Sequence, residues 1–391
     1  MMALPERKSR SDKTDTSVPQ QPTVTGPPEV EAGGVLSIDV SAIEANWRAL
    51  VSRVSPAECS AVVKADAYGC GIEPVVRVLS KAHCRTFFVA HLAEARRVHA
   101  VAPDATVYVL NGIAPGSASA FADAYARPVI GSLAELAEWD AFCRTNNWTW
   151  GAALHFDTGM NRLGLTFEEA VALSARIKNL DHGITLVMSH LACADNPAHP
   201  LNDRQIQQFR DLRVMYRGVT ASLANSSGIF LGPATHCDLV RPGVALYGAN
   251  PTPGLENPMR PVVELKGRIV QLRSLARGAS VGYGATWTAE GPSKIAIVSI
   301  GYADGYLRAT GASNASAIVA GRRCPIAGRI SMDLLALNVT ELPENVVRRG
   351  DFATLLGEGI TVDELAAWGG TISYEVLTRL GNRYTRVYRT D

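Results

Sequence analysis

Long hydrophobic runs are missing from this chain. No apolar stretch approaches the roughly 20 residues that carry a helix across a bilayer, so no membrane partner is expected. Paired cysteines are missing too. The seven (Cys59, Cys70, Cys84, Cys143, Cys193, Cys237 and Cys324) are scattered, odd in number and never spaced CxxC. That pattern argues against a disulfide framework and against a zinc site, and it fits a reducing cytoplasm. The net charge is +1 with no basic block, so nucleic acid is not an expected partner. The first residues, roughly Met1–Gly33, are rich in Pro, Ser, Thr and charge and lack the apolar core of a signal peptide. They read as a disordered tail.

What is present is a globular composition: 391 residues with 47% hydrophobic and 19% charged content, enough for two domains with substantial cores. Past the tail, strands alternate with helices. Val35–Val40 reads as a strand. Ser41 caps the following helix, with Glu44 closing a capping box, to about Val54. Strands follow over Ser60–Val63, Thr86–Ala90, Ala105–Leu110, Pro128–Gly131, Trp150–Phe156, Ile184–His190 and Thr220–Ala224, with another apolar segment near Leu239. Helices fall between them, over about Glu73–Ala82, Ala93–Val101, Ser117–Tyr125, Leu133–Thr145, Glu168–Lys178 and Asp203–Tyr216. Roughly eight βα units in about 210 residues predict an α/β fold with a parallel (β/α)8 TIM-like barrel over residues 34–262. A doubly wound sheet is the alternative, but no GxGxxG opens a helix after a strand.

Near Pro261 the texture changes. Gly267–Arg273, Lys294–Ile300, Ala317–Ala320, Leu334–Val339 and Phe352–Leu356 are strand-like and separated by Gly, Pro and Asn turns. Residues 263–391 therefore read as a C-terminal mainly-β domain. It ends in a small helix capped by Thr361 and Glu364, then another around Ser373–Arg379.

The most informative peptide is Ala61-Val62-Val63-Lys64-Ala65-Asp66-Ala67-Tyr68-Gly69. A lysine that ends a buried strand is costly unless it is paired or its pKa is lowered, and a desolvated lysine is a nucleophile suited to Schiff-base chemistry. A lysine snorkelling out of a sheet edge is the ordinary alternative. In a barrel, function collects where strands end at the C-terminal face. His155–Arg162, Ser189-His190-Leu191, Asn225-Ser226-Ser227 and Val240-Arg241-Pro242-Gly243-Val244 all fall there. Singly, His190 could be an interior histidine, Asn225 a helix cap, Gly243 a turn and Arg241 half of an ion pair; their recurrence at successive strand ends points to one site.

These residues lie in motifs that resemble the alanine racemase family, pyridoxal phosphate enzymes with a barrel and a β domain. The resemblance runs from about Val35 to Asp391. It rests on Val63–Gly69, on Asp157-Thr158-Gly159-Met160-Asn161-Arg162-Leu163-Gly164, on Arg241–Val244, on Val281-Gly282-Tyr283-Gly284-Ala285-Thr286-Trp287, on Gly301-Tyr302-Ala303-Asp304-Gly305, on Ser331-Met332-Asp333 and on Thr371-Ile372-Ser373-Tyr374-Glu375. It implies that Lys64 binds pyridoxal 5′-phosphate as a Schiff base. Tyr68, Ser226 with its neighbour Asn225, Tyr374 and the backbone N–H groups near Gly243 and Val244 would hold the phosphate, amides beside a glycine being a natural anion nest. His190 would lie against the ring and bond to Arg241. Arg162 and the Met332 N–H would contact the substrate carboxylate. Tyr283 and Tyr302 would reach the active site of a neighbouring subunit, making the enzyme a head-to-tail homodimer with shared active sites acting on alanine.

The chemistry implied is removal of the α-proton from one face and its return to the other. Lys64 would serve the face handling the D-enantiomer, and Tyr283 of the second subunit the L face. An ordinary tyrosine titrates near 10, so it needs cationic neighbours to be a base near neutrality; Arg162 and the His190–Arg241 pair are candidates. Arg241 can only donate at the pyridine nitrogen, which limits delocalisation into the ring and thereby transamination; enzymes that use the full electron sink place a carboxylate there. One position departs from the family. Many members carry at the place of His155 a lysine, modified to a carbamate that fixes the substrate-binding arginine. Imidazole forms no stable carbamate, so Arg162 needs other support: a bound anion such as chloride, or a neutral His155. Two rivals fit less well. A non-catalytic pyridoxal phosphate carrier lacks the second domain, and decarboxylases of related fold place an acid where this chain has Arg241. A serine or broad-specificity racemase stays open, because small side chains differ by only about 1–3 kcal/mol in an apolar pocket.

Overall fold

A computed structural model describes residues 23–177 and 183–390. The tail expected over residues 1–22 and the helix end expected at Lys178 lie outside the described residues. The rest of the expected tail is partly ordered: Thr23–Thr25 is a strand paired antiparallel with Thr385–Arg389. Polar composition signals too little burial for a core, but an edge strand needs only a backbone partner, which the far end of the chain supplies.

The first architectural unit is a parallel barrel. Seven strands follow one another in sequence order, Ala61–Val62, Thr86–Val89, Thr106–Val109, Arg127–Ile130, Ala152–His155, Ile184–Met188 and Thr220–Ser222, each paired in parallel with the next. The eighth, Leu239–Val240, pairs in parallel with Glu58–Cys59, just before the first of these. Hydrogen bonds from Asp238 N–H to the Ala221 carbonyl (3.0 Å) and from Arg241 N–H to the Ala224 carbonyl (2.9 Å) complete the ring. The interior is filled by side chains such as Phe88 and Tyr108, which stack with ring centroids 5.1 Å apart, and Met188, while their strand neighbours Phe87 and Val187 are buried on the opposite, outer face, so the barrel is a packed core.

The eighth barrel strand is therefore the short apolar segment near Leu239, and the strand expected at Val35 is placed elsewhere. Gly34–Asp39 sits in the second sheet, between Val263–Leu275 (antiparallel) and Thr385–Arg389 (parallel). The helix after it, Val40–Val54, returns to the barrel. Its cap is Asp39, whose carboxylate accepts the Ala42 N–H at 2.8 Å and the Ser41 hydroxyl at 2.6 Å. Ser41 thus lies inside the first turn and supports the cap, because the carboxylate two residues earlier already satisfies the free N–H.

The second sheet has nine strands, running Thr23–Thr25, Thr385–Arg389, Gly34–Asp39, Val263–Leu275, Phe352–Leu356, Ser316–Val319 and Arg322–Pro325, with Ser293–Val298 and Leu335–Asn338 branching from the long Val263–Leu275 strand. Two helices precede the final strand. Val362–Gly369 is capped by Thr361, which accepts the Glu364 N–H at 3.1 Å. Ser373–Arg379 follows, and it carries Tyr374 to the mouth of the barrel.

Candidate active site

A cavity of about 650 Å³ opens at the C-terminal ends of the barrel strands. Its walls include Lys64, Tyr68, His155, Arg162, His190, Asn225, Ser226, Arg241, Gly243, Val244 and Tyr374. Eleven residues singled out from the sequence thus converge from five strand ends and one helix of the second unit. Leu110, Asn111 and Met188, which carried no sequence signal of their own, also line it, as does Glu375, the last residue of the Thr371–Glu375 motif.

Lys64 leaves the strand Ala61–Val62 and is followed by a backbone that few L-residues adopt. Ala65, Asp66, Ala67 and Tyr68 all have φ of +53° or +54°, forming one left-handed helical turn. Each such residue costs roughly 1–2 kcal/mol, because its Cβ crowds the next carbonyl. The turn nevertheless closes its own hydrogen bonds, Ala67 N–H to the Val63 carbonyl and Gly69 N–H to the Ala65 carbonyl, both at 2.9 Å. Burial and the nearby positive charge of Arg162 hold the Lys64 amine below the ordinary lysine range, while Glu94 opposes them. Both dominant effects favour the neutral, nucleophilic amine.

On the opposite wall Arg241 is 3% exposed. It donates to Ser222 Oγ (2.5 Å), to the Ser189 carbonyl (2.7 Å) and, from Nη2, to His190 Nδ1 (3.3 Å). Because guanidinium only donates, His190 accepts at Nδ1 and keeps its proton on Nε2. Among the described residues no carboxylate pairs with Arg241 or with Lys64. Burial draws the Arg241 pKa down to about 10, which still leaves it charged at neutral pH. Burial and the charges of Arg241 and Arg162 hold His190 well below its usual value. The same causes, burial and then Arg241, bring His155 to about 4 against the opposing pull of Asp157. Both imidazoles are neutral.

The third wall is an anion cradle. Ser226 Oγ accepts the Gly243 N–H at 2.9 Å and the Ala245 N–H at 3.3 Å. A Cβ on Gly243 would lie 2.3 Å from the Tyr68 hydroxyl, so glycine is what lets backbone and phenol meet. Tyr68 stacks on Tyr247, ring centroids 4.7 Å apart, and lies 6.0 Å from Tyr374. Burial and then Asp195 push the Tyr374 hydroxyl up to about 12, keeping it a neutral donor. Asn225 combines the two sequence readings: it accepts the Gly228 N–H at 2.8 Å, as a cap does, and also faces the cavity.

The walls test well against pyridoxal phosphate. A buried guanidinium without a counter-ion fits an aromatic nitrogen acceptor. A free, depressed lysine fits an aldehyde. Hydroxyls and N–H groups beside a glycine fit a phosphate. Two guanidinium groups in one cavity, Arg162 and Arg241, favour a multiply charged anion.

Behind these walls lies a layer that the sequence reading missed. Gln205, fully buried on the helix Pro200–Met215, donates to the His190 carbonyl (2.8 Å) and to Thr158 Oγ1 (3.2 Å) and accepts the Ala192 N–H (2.9 Å). Thr158 in turn meets Ser189 Oγ at 2.7 Å. The available signal was polarity in an apolar stripe, since Gln205 shares its helix face with buried Phe209 and Leu212.

Three expected site residues are not brought to this cavity by a single chain. Tyr283 (71% exposed), Tyr302 (40%) and Met332 (54%) stand on the surface of the second unit. The segment Gly328–Asp333 links them. A Cβ on Gly328 would meet the Val281 carbonyl at 2.5 Å, and the Ser331 and Met332 carbonyls accept the N–H groups of Tyr302 and Ala303.

Comparison with known proteins agrees with this geometry. The family model "Alanine racemase, N-terminal domain" matches residues 38–251, and "Alanine racemase, C-terminal domain" matches residues 262–388. The chain is 54% identical to the alanine racemase of Methylobacterium nodulans over 356 residues, covering 91% of this chain and 96% of that one. It is 52% identical to the alanine racemase of Methylobacterium sp. (strain 4-46), covering 91% and 98%. Among solved structures, the alanine racemase of Bartonella henselae with covalently bound pyridoxal phosphate superposes with a TM-score of 0.87 at 37% identity, covering 92% of this chain and 100% of that one.

Proposed function

This chain belongs to the alanine racemase family, and from that premise we propose that it interconverts L- and D-alanine with pyridoxal 5′-phosphate held in the strand-end cavity. The observation that carries the reading is the meeting, in one cavity, of a depressed lysine, a buried arginine without a carboxylate and a serine–glycine anion cradle.

When bound, pyridoxal phosphate supplies an electron sink that acidifies the α-hydrogen of an amino acid joined to it. The protein's residues do the rest. Ser226, Tyr68, Tyr374 and the amides at Gly243 and Val244 hold the phosphate, with Asn225 beside them. Arg241 donates to the ring nitrogen and, being unable to give up its proton, keeps that nitrogen unprotonated. His190, fixed by Arg241 and Gln205, supports the ring. Arg162 and the Met332 N–H orient the substrate carboxylate. The Lys64 amine takes and returns the proton on one face, and its lowered pKa raises the share of neutral amine that can act as the base.

The second face needs a base that one chain does not bring there. Tyr283, Tyr302 and Met332 form an exposed group with Leu334 (41% exposed), the kind of surface that marks an interface. We assign it to a second copy of this chain, with Tyr283 as the second base and a homodimer of composite sites as the active form. All seven cysteines are free, and no described helix is long and apolar enough to cross a membrane. Both support a cytoplasmic enzyme.

The test mixes two inactive variants. Lys64→Ala should lose the borohydride-fixed cofactor and turnover. Tyr283→Phe should slow proton removal from L-alanine far more than from D-alanine. Heterodimers of the two contain one site with both bases, so mixing should restore up to about half of the wild-type activity per heterodimer. Absence of any recovery, with heterodimers confirmed by native mass spectrometry, would count against a base supplied in trans. Chiral analysis of products from a panel of L-amino acids tests the assignment of alanine.

A further inference from the structure

The left-handed turn after Lys64 is held from outside, by the helix Leu92–Val101. Glu94 divides its carboxylate. Oε2 accepts the N–H groups of Ala90 (2.8 Å) and His91 (3.2 Å) at the start of its own helix, and Oε1 accepts the N–H of Ala65, the residue next to Lys64, at 2.7 Å. One turn on, Arg97 places two hydrogen bonds of 2.6 Å on Glu73 and a third contact of 2.6 Å on Asp66, the middle of the turn. Asp66 Oδ1 also accepts the Ile72 N–H at 3.1 Å, which ties the end of the turn to the following helix. None of the four side chains Asp66, Glu73, Glu94 and Arg97 lines the cavity. The ion pairs are about 40% exposed, so they add little to global stability. What they hold in place is local: four residues in a conformation that none of them prefers.

We propose that Glu94 and Arg97 are positioning residues for Lys64, fixing through the left-handed turn the direction in which its side chain enters the cavity. This rests on the reading of Lys64 as the cofactor-bearing lysine and proton carrier. Released from the clamp, Ala65–Tyr68 relax toward ordinary backbone wells. Two residues move together in that case, because the turn begins at Lys64 and ends at Tyr68, which faces Gly243. Glu94 has a second, separable effect, since its charge opposes the burial that depresses the Lys64 amine.

The experiment compares the full-length protein with Arg97→Met, Glu94→Gln, Glu94→Ala and the pair Arg97→Met/Ala65→Gly. The first readout is the rate at which cofactor-stripped protein attaches added pyridoxal phosphate at Lys64, located by borohydride reduction and peptide mapping. The second is the pH profile of turnover. Arg97→Met should slow attachment about tenfold and lower kcat similarly, with KM for alanine within about twofold. Glycine at position 65 accepts positive φ without penalty, so the pair should regain at least a third of the wild-type rate. Glu94→Gln keeps an acceptor for the Ala65 N–H and should attach at nearly the wild-type rate, while the acid limb of its profile moves to lower pH. Glu94→Ala should show both effects. Attachment and kcat within twofold of wild type in both Arg97→Met and Glu94→Ala overturn the proposal. So does a loss in Arg97→Met that Ala65→Gly fails to recover. Mapping of the wild-type cofactor to a different lysine is a distinct result, and it overturns the reading of Lys64 itself.

Discussion

Adding one methyl group to Gly243 should loosen the cofactor without unfolding the protein. An alanine Cβ there would lie 2.3 Å from the Tyr68 hydroxyl oxygen, 2.9 Å from Cζ and 3.4 Å from Cε2. Carbon–oxygen contact begins beyond about 3 Å, so the ring must retreat by most of an ångström. It has little room to do so. Tyr247 stacks against it at 4.7 Å, is itself 1% exposed, and is anchored through its hydroxyl to the Val62 carbonyl at 2.9 Å. Overpacking of this kind costs about 1–3 kcal/mol, and here the cost falls on the orientation in which Tyr68 points into the anion cradle. At tenfold per 1.4 kcal/mol, affinity for pyridoxal phosphate should fall by roughly 5- to 150-fold. Spectral titration of the cofactor-stripped protein measures this. Tyr68→Phe removes the closest contact, so the Gly243→Ala/Tyr68→Phe pair should lose less affinity than the two single changes summed. Affinity of Gly243→Ala within twofold of wild type, or strict additivity in the pair, would refute the reasoning.

The native His155 titrates near 4 against about 6.5 in the unfolded chain. The unfolded state therefore binds the extra proton first, and the contribution of His155 to stability is whole above about pH 6.5 and lost as pH falls toward 4, by up to about 3 kcal/mol. Urea unfolding at pH 7.5 and 5 should show that His155→Gln loses a large part of this slope, and an unchanged slope would exonerate the residue. Bicarbonate should not stimulate the wild-type enzyme, because imidazole forms no stable carbamate; stimulation in a turnover assay would mean that another residue carries one. Gln205→Leu leaves the Ala192 N–H, the His190 carbonyl and Thr158 without their shared partner in a fully buried place, costing about 3 kcal/mol; a denaturation midpoint equal to wild type would contradict this.

Most of the cavity was legible from the chain because its residues sit at strand ends, and strand ends follow from short β-branched runs closed by polar or glycine residues. Lys64, His190, Ser226 and Arg241 each end such a run. Pairing partners were less legible. Gly34–Asp39 reads as a strand in any setting, since Val35, Leu36 and Ile38 are apolar and two of them β-branched; only its neighbours, Val263–Leu275 and Thr385–Arg389, show that it belongs to the second sheet. The left-handed turn was hidden for a different reason. Ala65, Ala67 and Tyr68 carry no local preference for positive φ, and the groups that impose it, Glu94 and Arg97, lie a helix away in sequence. Tyr283 and Met332 were singled out by resemblance alone, and in one chain they stand apart from the cavity.

The strand Gly34–Asp39 has a bearing on how this protein is made. Its two neighbours come from the middle and the very end of the chain, with Val35 opposite Thr385. A ribosome adds roughly 5–20 residues per second, so Gly34–Asp39 waits tens of seconds for its last partner, with its backbone groups free to pair elsewhere. The barrel can assemble in that interval; the sheet that carries Tyr283 and Met332 cannot. Completion of that sheet is a late event that requires the whole chain. Cutting the chain before Thr385 should uncover one edge of Gly34–Asp39 and cutting it after residue 262 both edges, and either product should carry an assembled barrel that aggregates through this strand.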